Sequence, residues 1–246
     1  MNSTRRLARI AGVLYLLVGI SGGFAEGYVE PKMYVAGNAA ATAGNVVANP
    51  GLVRLGVVAD LFDATVFVFL ALALYVLLKH VHKSTARAML VLVALATGLT
   101  CSAAVFEFEG LRVATGAVNF AAFGAAASNA LTLLLLDAQH YGLLTAQIFF
   151  GLWLAPLGYL AYKSGMFFKP LSVLLVVGAA CYLADMLTAF LLPDIANAIH
   201  SYVTIPSAIA EIWMVGYLLV IGVKTNKPGE PIPAAAEPVQ IKGVKS

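Results

Sequence analysis

Six long apolar runs constrain this chain more than any other feature of its sequence. They are Ile10–Val29, Val53–Leu78, Ala88–Phe106, Tyr141–Tyr162, Leu171–Leu192 and Ile205–Val223. A helix needs about 20 apolar residues to cross a bilayer, and backbone amides in hydrocarbon must bond within their own segment. The chain is 61% hydrophobic and only 11% charged, whereas a soluble domain carries about 25% charged residues. We therefore predict an all-α, polytopic transmembrane helical bundle of about six spans.

The placement of Lys and Arg predicts how the bundle is oriented. If the N-terminus is inside, only Lys32, Arg54 and Arg112 of the fifteen Lys and Arg residues lie on the outer side. Cytoplasmic loops carry the excess of positive charge, and the reverse topology would invert this distribution. We expect cytoplasmic N- and C-termini, with a six-span domain over residues 1–223. The Pro-rich segment 224–246 has no aromatic residue and is predicted to be a disordered cytoplasmic tail.

The first run also has features of a signal peptide, because a basic start precedes it and small residues, Gly23 and Ala25, lie near its end. We favour a retained helix. Gly12, Gly19, Gly23 and Glu26 recur at helical spacing, and Gly19 and Gly23 form a GxxxG pattern. Small residues on one face let helices approach closely in lipid, so this face is predicted to pack against another helix.

The first outer segment, residues 30–52, carries a polar stripe at helical spacing. Its members are Asn38, Thr42, Asn45 and Asn49. This pattern predicts a short surface helix. Asn49 and Pro50 then suit the N-cap and the first position of the second span.

The second outer segment, residues 107–140, is long and unusually apolar. Phe120–Leu136 could form a seventh span, but this would place Lys163 and Lys169 outside. We favour a hairpin or re-entrant element, which is allowed at membrane depth when it is buried in protein. In this interpretation Leu131–His140 extends the fourth span outward.

Several blocks of the sequence resemble a family of bacterial multi-pass membrane proteins, described as domain of unknown function (DUF4386). The blocks are Arg9–Leu17, Asn38–Leu61, Leu74–Lys83, Leu136–Gly165, Leu171–Asp185 and Glu211–Val223. The resemblance implies a bacterial plasma membrane location, but it carries no activity, substrate or cofactor. The family tends to have an acidic residue where this chain has Asn38, which argues against a cation site in that loop.

Polar residues within the spans are the candidates for function, because a charge at a helix centre costs about 2.5–3.5 kcal/mol on insertion scales. Five of them are predicted to share one layer in the outer half of the membrane: Asp60, Asp63, Gln147, Asp185 and Glu211. Asp60 and Asp63 are three residues apart and are expected to face the same way. With Glu107, His140 and His200 at the rim, these groups would form an outward-facing acidic pocket.

Each residue also has a purely structural interpretation. Asp60 could pair with Arg54, and Asp185 and Glu211 could form interhelical hydrogen bonds. His140 and His200 could be hydrated surface residues. The shared depth favours a pocket for the group as a whole.

Three classes of function remain open. A pocket could bind or transport a small cation, a metal ion or a lipid. A membrane-embedded lipid hydrolase could use the carboxylates and His140 around a metal, although the chain has no HExxH or GxSxG motif. A structural or accessory subunit would use the polar layer only to join helices. No basic stripe with interleaved aromatics supports nucleic acid binding, and the sequence does not indicate an oligomeric state.

Overall fold

The structure is a computed structural model that describes residues 3–118 and 124–224. These residues form helices joined by short connections. The elements are α1 (Ser3–Phe24), a π-helical segment (Ala25–Val29), α2 (Glu30–Met33), α3 (Ala39–Ala48), α4 (Pro50–Leu78), α5 (Lys83–Ala114), α6 (Gly124–Ser164), α7 (Lys169–Leu191), α8 (Pro193–Val203) and α9 (Ile205–Val220).

Six helical stretches are long and apolar enough to cross a membrane. They are Ser3–Met33, Pro50–Leu78, Lys83–Ala114, Gly124–Ser164, Lys169–Leu191 and Ala198–Val220. Large apolar side chains are exposed along them, among them Leu134 (62%), Ile212 (72%) and Val220 (74%). Such a surface suits lipid tails rather than water. The prediction of an all-α, six-span membrane protein is confirmed.

The six spans form a ring in chain order. The span containing α1 packs against α4, followed by α5, α6, α7 and α9, and α9 packs against α1 again. The short helix α3 lies outside this ring, against α4, α5 and α6. Each span therefore has two main neighbours, and the residues on its inner face look into the centre of the ring.

An apolar core fills one half of the ring, which we call the closed half. This half contains the beginning of α1 and the end of α9, and its core includes Leu74, Leu157 and Leu175, each 0% exposed. Glycine residues allow neighbouring helices of the closed half to approach each other closely. A Cβ on Gly158 would lie 2.7 Å from the Ser172 carbonyl oxygen, so α6 and α7 touch through backbone. Small residues at such crossings strengthen van der Waals packing between helices in lipid.

The predicted helix of the first outer segment forms as α3. The Asn38 side chain caps it by accepting a hydrogen bond of 3.0 Å from a backbone amide of the first turn. The predicted polar stripe is not entirely on the surface, because Thr42 is buried and bonds both the amide and the carbonyl of Val35 at 3.1 Å. This pair of bonds fixes α3 to the connection that precedes it.

The cap predicted for the second span is right in position but wrong in chemistry. Asn49 occupies the N-cap site and Pro50 the first turn of α4. The Asn49 side chain, however, makes no cap and donates to the carbonyl oxygen of Asn45 at 3.1 Å. It therefore closes the end of α3 rather than the start of α4.

The second outer segment differs from its prediction. Helix α5 continues to Ala114, and α6 runs unbroken from Gly124 to Ser164. The helix of the fourth span therefore includes Leu131–His140, as predicted, and it begins even earlier in the chain. The described residues contain neither a re-entrant hairpin nor a seventh span. The two long helices form their backbone hydrogen bonds internally and pack along each other. A non-helical hairpin within the membrane would need other parts of the protein to bond its backbone groups. Residues 119–123 and the predicted tail from residue 225 lie outside the described residues.

The sixth span begins earlier than predicted and is interrupted. Helix α8 ends at Val203, and α9 begins at Ile205 with Pro206 in its first turn. Proline is tolerated in the first turn of a helix but breaks its interior. This interruption lies beside the site described below.

Candidate functional site

A cavity of about 550 Å³ lies in the half of the ring that the apolar core leaves open. We call this the open half. Residues from α1, the π-helical segment, α2, α4, α6, α7, α8 and α9 line the cavity, and on α1, α4, α6 and α9 they recur mainly every three or four positions. This recurrence sorts them into three levels along the ring axis. Aromatic rings form the deepest level, carboxylates the middle level, and histidines the level nearest the ends of the helices.

The α1 side of the cavity is a glycine face. A Cβ on Gly19 or Gly23 would meet no atom within 4 Å, and both residues are exposed to the cavity. The predicted close helix packing at this GxxxG pair is therefore wrong. The close approach occurs two turns earlier, where a Cβ on Gly12 would lie 2.9 Å from Cβ of Leu218. Gly19 and Gly23 therefore widen the cavity and do not form a helix–helix contact.

The π-helical segment directs a carboxylate into this space. Within Ala25–Val29 the backbone forms bonds between residues five apart, as between the Glu30 amide and the Ala25 carbonyl. Pro31 follows, and its ring would clash with the carbonyl four residues earlier in a regular α-helix. A wider turn relieves that clash. The turn presents Glu26, whose side chain is exposed to the cavity.

Three carboxylates from three helices occupy the middle level: Glu26, Asp63 of α4 and Glu211 of α9. Asp63 accepts a hydrogen bond of 3.0 Å from the Ser21 hydroxyl, and Glu211 lies beside the Tyr182 hydroxyl. The described lining residues include no Lys or Arg. None of the ion pairs formed by the described residues involves these three carboxylates.

The deepest level is an aromatic floor, formed by Tyr15, Phe67, Phe150 and Trp153. The Phe67 and Trp153 rings meet edge to face at 4.9 Å between centroids, and the Tyr15 and Trp153 centroids are 5.6 Å apart. The side chain of Tyr15 is 2% exposed, and its hydroxyl has no hydrogen-bond partner among the described residues. Leaving a buried polar group unpaired costs about 1–3 kcal/mol, so this hydroxyl is the one buried side-chain group of the described chain that needs a partner.

One carboxylate–histidine pair lies at the level nearest the helix ends. His140 Nδ1 is 2.5 Å from Glu30 Oε1. The Tyr34 ring stacks on the His140 ring with centroids 5.0 Å apart, and the Tyr34 hydroxyl donates to Asp137 at 2.6 Å. Burial, and then this hydrogen bond to a carboxylate, raise the pKa of Tyr34 well above its usual value. Tyr34 therefore stays protonated and holds His140 in place.

A second pair joins Asp185 of α7 to His200 of α8. His200 Nδ1 is 2.8 Å from Oδ1 of Asp185, and the Gln147 side chain donates to Oδ2 of the same carboxylate at 2.8 Å. Asp185 is 1% exposed, whereas His200 projects into the open. Both histidines line the cavity, and each is held through Nδ1, so Nε2 is the ring nitrogen left without this bond. Among the described residues, no three His, Cys, Asp or Glu side chains lie close enough together to hold one metal ion.

One known protein family matches most of the chain. The model of the family described as domain of unknown function (DUF4386) matches residues 10–222. The chain belongs to this family. The resemblance found in the sequence is thereby confirmed. No curated protein and no solved structure matches the chain, and the description of DUF4386 names no activity.

The structure divides the six predicted site residues of this DUF4386 member into two groups. Asp63, Gln147, Glu211 and His140 line the cavity. Asp185 lies behind the wall and reaches the cavity only through its bonds to Gln147 and His200.

Asp60 is the sixth predicted site residue, and it is absent from the described cavity wall. It is 2% exposed and lies beside Glu107, which packs against Gly56. Three residues of α-helix fall short of a full turn by roughly 60°, which is enough to turn Asp60 toward α5 while Asp63 faces the cavity. The predicted rim residue Glu107 belongs to this buried pair rather than to the rim.

The sequence prediction missed two parts of the site. Glu26 was grouped with glycines on a packing face, although a carboxylate in a glycine stripe is itself a sign that the face borders water. Tyr15 and Trp153 carried no usable signal, because aromatic residues are common in membrane spans as packing groups and interfacial anchors.

Proposed function

We propose that this protein binds a small cation in the cavity, and that the cavity opens on the outer side of a bacterial plasma membrane. The observation that carries the proposal is the convergence of Glu26, Asp63 and Glu211 from three helices without a Lys or Arg among the described lining residues. When these carboxylates are ionised, no Lys or Arg among the described lining residues balances their negative charge.

The physical argument is one of electrostatics in a poorly polarisable medium. Placing one ionised carboxylate near the centre of a bilayer costs about 2.5–3.5 kcal/mol, and neighbouring carboxylates repel one another more strongly there than in water. A cation bound among them would offset both costs. Helices tolerate such a group most readily when it faces a cavity that water can enter, and the Glu26 side chain is exposed to the cavity.

The outward orientation follows from the distribution of positive charge. The closed half contains the beginning of α1 and the connection between α4 and α5, where Lys79 and Lys83 lie. The excess of Lys and Arg at this end supports a cytoplasmic location, which would place both termini inside. The open half then faces outward, and the bacterial character of the resembling family supports the plasma membrane.

The alternative functions have less support. A lipid hydrolase needs an activated nucleophile or a metal, but the described lining residues include neither Ser nor Cys, and the Thr204 hydroxyl donates to the His200 carbonyl oxygen rather than to a general base. The described residues also lack a cluster of three metal ligands. A purely structural polar layer would have every carboxylate bonded to a neighbouring helix. Asp63 and Asp185 are bonded in this way, whereas Glu26 is exposed to a cavity of about 550 Å³.

The test is a binding titration on the purified full-length protein in lipid nanodiscs. The probes are the chloride salts of calcium, methylammonium and 2-phenylethylammonium, with the melting temperature as the readout, because a ligand that binds only the folded state raises it. At least one cation should raise the melting temperature in a saturable manner. Combining Glu26→Gln with Glu211→Gln should weaken that binding by about tenfold or more.

Glu109→Gln is the matched control. Glu109 is an exposed glutamate paired with Arg112 at 2.6 Å, away from the cavity, so its loss should leave binding unchanged. If none of the three cations shifts the melting temperature of the unmodified protein more than that of the Glu26→Gln, Glu211→Gln variant, the proposal is overturned. The same holds if neutral 2-phenylethanol stabilises the protein as much as its cationic counterpart.

A further inference from the structure

We infer that the cation is a protonated organic amine with an apolar substituent, bound with its nitrogen among the carboxylates and its substituent on the aromatic floor. This inference rests on the proposed function and names the chemical class of the ligand. Three features of the cavity carry it: the rings below the carboxylates, the unpaired Tyr15 hydroxyl, and the space along the glycine face.

The order of the levels matches such a ligand: the carboxylates would meet its charged nitrogen, and the aromatic floor would meet its apolar substituent. On α4, Asp63 and Phe67 are one turn apart and both face the cavity. On α1, Tyr15 lies below Gly19, Gly23 and then Glu26 on the same face. Negative charge and aromatic surface are therefore adjacent along two separate helices. A ring face attracts an organic cation through its quadrupole and also packs against the apolar substituent.

An inorganic cation would leave most of this site unused. Calcium takes six to eight oxygen ligands and magnesium takes six, some of which can be water. The described residues hold no cluster of three acidic, His or Cys ligands to anchor such an ion. A cavity of about 550 Å³ lies within the range of about 300–1,000 Å³ for sites that bind small organic molecules. The volume and the ring-lined floor both favour a ligand with a carbon skeleton.

The Tyr15 hydroxyl indicates that the nitrogen carries hydrogen. This hydroxyl is buried on the floor, has no partner among the described residues and lies near Glu211. Two N–H groups of a protonated primary amine could donate at once, one to the Tyr15 oxygen and the other to a carboxylate. A quaternary ammonium has no N–H and would leave the hydroxyl unpaired.

The decisive experiment compares four probes on the full-length protein in nanodiscs: 2-phenylethylammonium, its N-trimethylated quaternary form, methylammonium and calcium. We expect 2-phenylethylammonium to bind about tenfold more tightly than methylammonium or calcium, because only it uses the floor. It should also bind more tightly than the quaternary form.

Two variants locate the probe. Tyr15→Phe keeps the ring and removes only the unpaired hydroxyl, so it should weaken 2-phenylethylammonium by about tenfold without lowering the melting temperature of the free protein. Gly19→Leu fills space where no atom lies within 4 Å of a Cβ. It should exclude 2-phenylethylammonium while methylammonium changes by less than about threefold. Gly98→Leu on α5, where a Cβ also meets nothing within 4 Å, is the control for the substitution itself.

The outcomes separate this inference from the function on which it rests. If calcium or methylammonium binds as tightly as 2-phenylethylammonium, and the Glu26→Gln, Glu211→Gln variant loses that binding, the cation site stands and the organic amine is wrong. If the quaternary form binds as tightly as the primary amine and Tyr15→Phe has no effect, the role of the hydroxyl is wrong. If no cation binds, both proposals fall together.

Discussion

The closed and open halves of the ring are built from the same six spans, yet they differ in almost every physical respect. On α6, Leu154, Leu157 and Leu160 are each 0% exposed in the closed half, whereas His140 and Gln147 border a cavity in the open half. Glycine differs in the same way. Gly12 and Gly158 bring helices together in the closed half, whereas Gly19 and Gly23 leave room along the cavity in the open half.

This contrast suggests that the two halves divide stability and function between them. Lipid tails are as apolar as leucine, so helix association in a membrane depends on packing rather than on escape from water. The close contacts of Gly12 and Gly158 provide such packing in the closed half. The open half can then hold carboxylates at an energetic cost that the rest of the bundle offsets.

The largest effect is expected where the closed half is tightest. A Cβ introduced by Gly158→Ala would lie 2.7 Å from the Ser172 carbonyl oxygen and 2.8 Å from a methyl group of Val176. Backbone must shift to relieve the first of these contacts, and overpacking of this kind costs about 3 kcal/mol at the upper end of its usual range. Thermal unfolding in nanodiscs should show a clear fall in melting temperature.

Gly98→Ala is its matched control, since a Cβ there meets nothing within 4 Å. This change should be neutral or slightly stabilising, because alanine favours helix over glycine by about 1 kcal/mol in water. Equal melting temperatures for the two variants would refute the view that close packing in the closed half stabilises the fold.

A second comparison removes side chains instead of adding them. Leu157→Ala in the closed half should cost about 2 kcal/mol, the low end of the range for soluble proteins, because in lipid the cavity term remains while the water-transfer term is lost. Leu144→Ala, on the same helix but lining the open cavity, should cost less than about 1 kcal/mol. Reversible unfolding in mixed micelles would measure both. Similar losses for the two variants would mean that stability is spread evenly along the ring.

How far the sequence predicts this molecule depends on how strongly lipid constrains each feature. The number of spans was predictable because hydrocarbon forces every crossing segment to be apolar and helical. The outward extension of the fourth span was recognised at Leu131–His140, but α6 begins at Gly124. The apolar residues there gave no sign of where the helix starts, because either a hairpin or a helix would bury them.

The candidate site shows the same limit at finer scale. The depth of Asp63 and Glu211 could be counted along their spans, and both line the cavity. The direction in which Asp60 points could not be predicted, because a rotation of only roughly 60° about the helix axis separates the cavity wall from the α4–α5 interface. Glu26 was missed for a different reason: its spacing from Gly19 and Gly23 gives the correct face, but that face borders a cavity instead of packing against a helix.

The smallest expected effect has the opposite sign and concerns the open half. Glu26→Gln removes one of several neighbouring carboxylates, so it should stabilise the free protein by about 1 kcal/mol through lost repulsion. The gain should be larger at about pH 9 than at about pH 6, because glutamate ionises further as the pH rises and glutamine does not. Melting temperatures at the two pH values would measure it.

Saturating 2-phenylethylammonium should abolish the stabilisation by Glu26→Gln, since a bound cation removes the same repulsion in the unmodified protein and loses a partner in the variant. Glu109→Gln should not stabilise at either pH, because it breaks an exposed ion pair with Arg112 whose contribution is about 0–1 kcal/mol. Destabilisation by Glu26→Gln would contradict the division of roles between the halves. It would mean that Glu26 holds the bundle together, and that the open half is as much a part of the scaffold as the closed half.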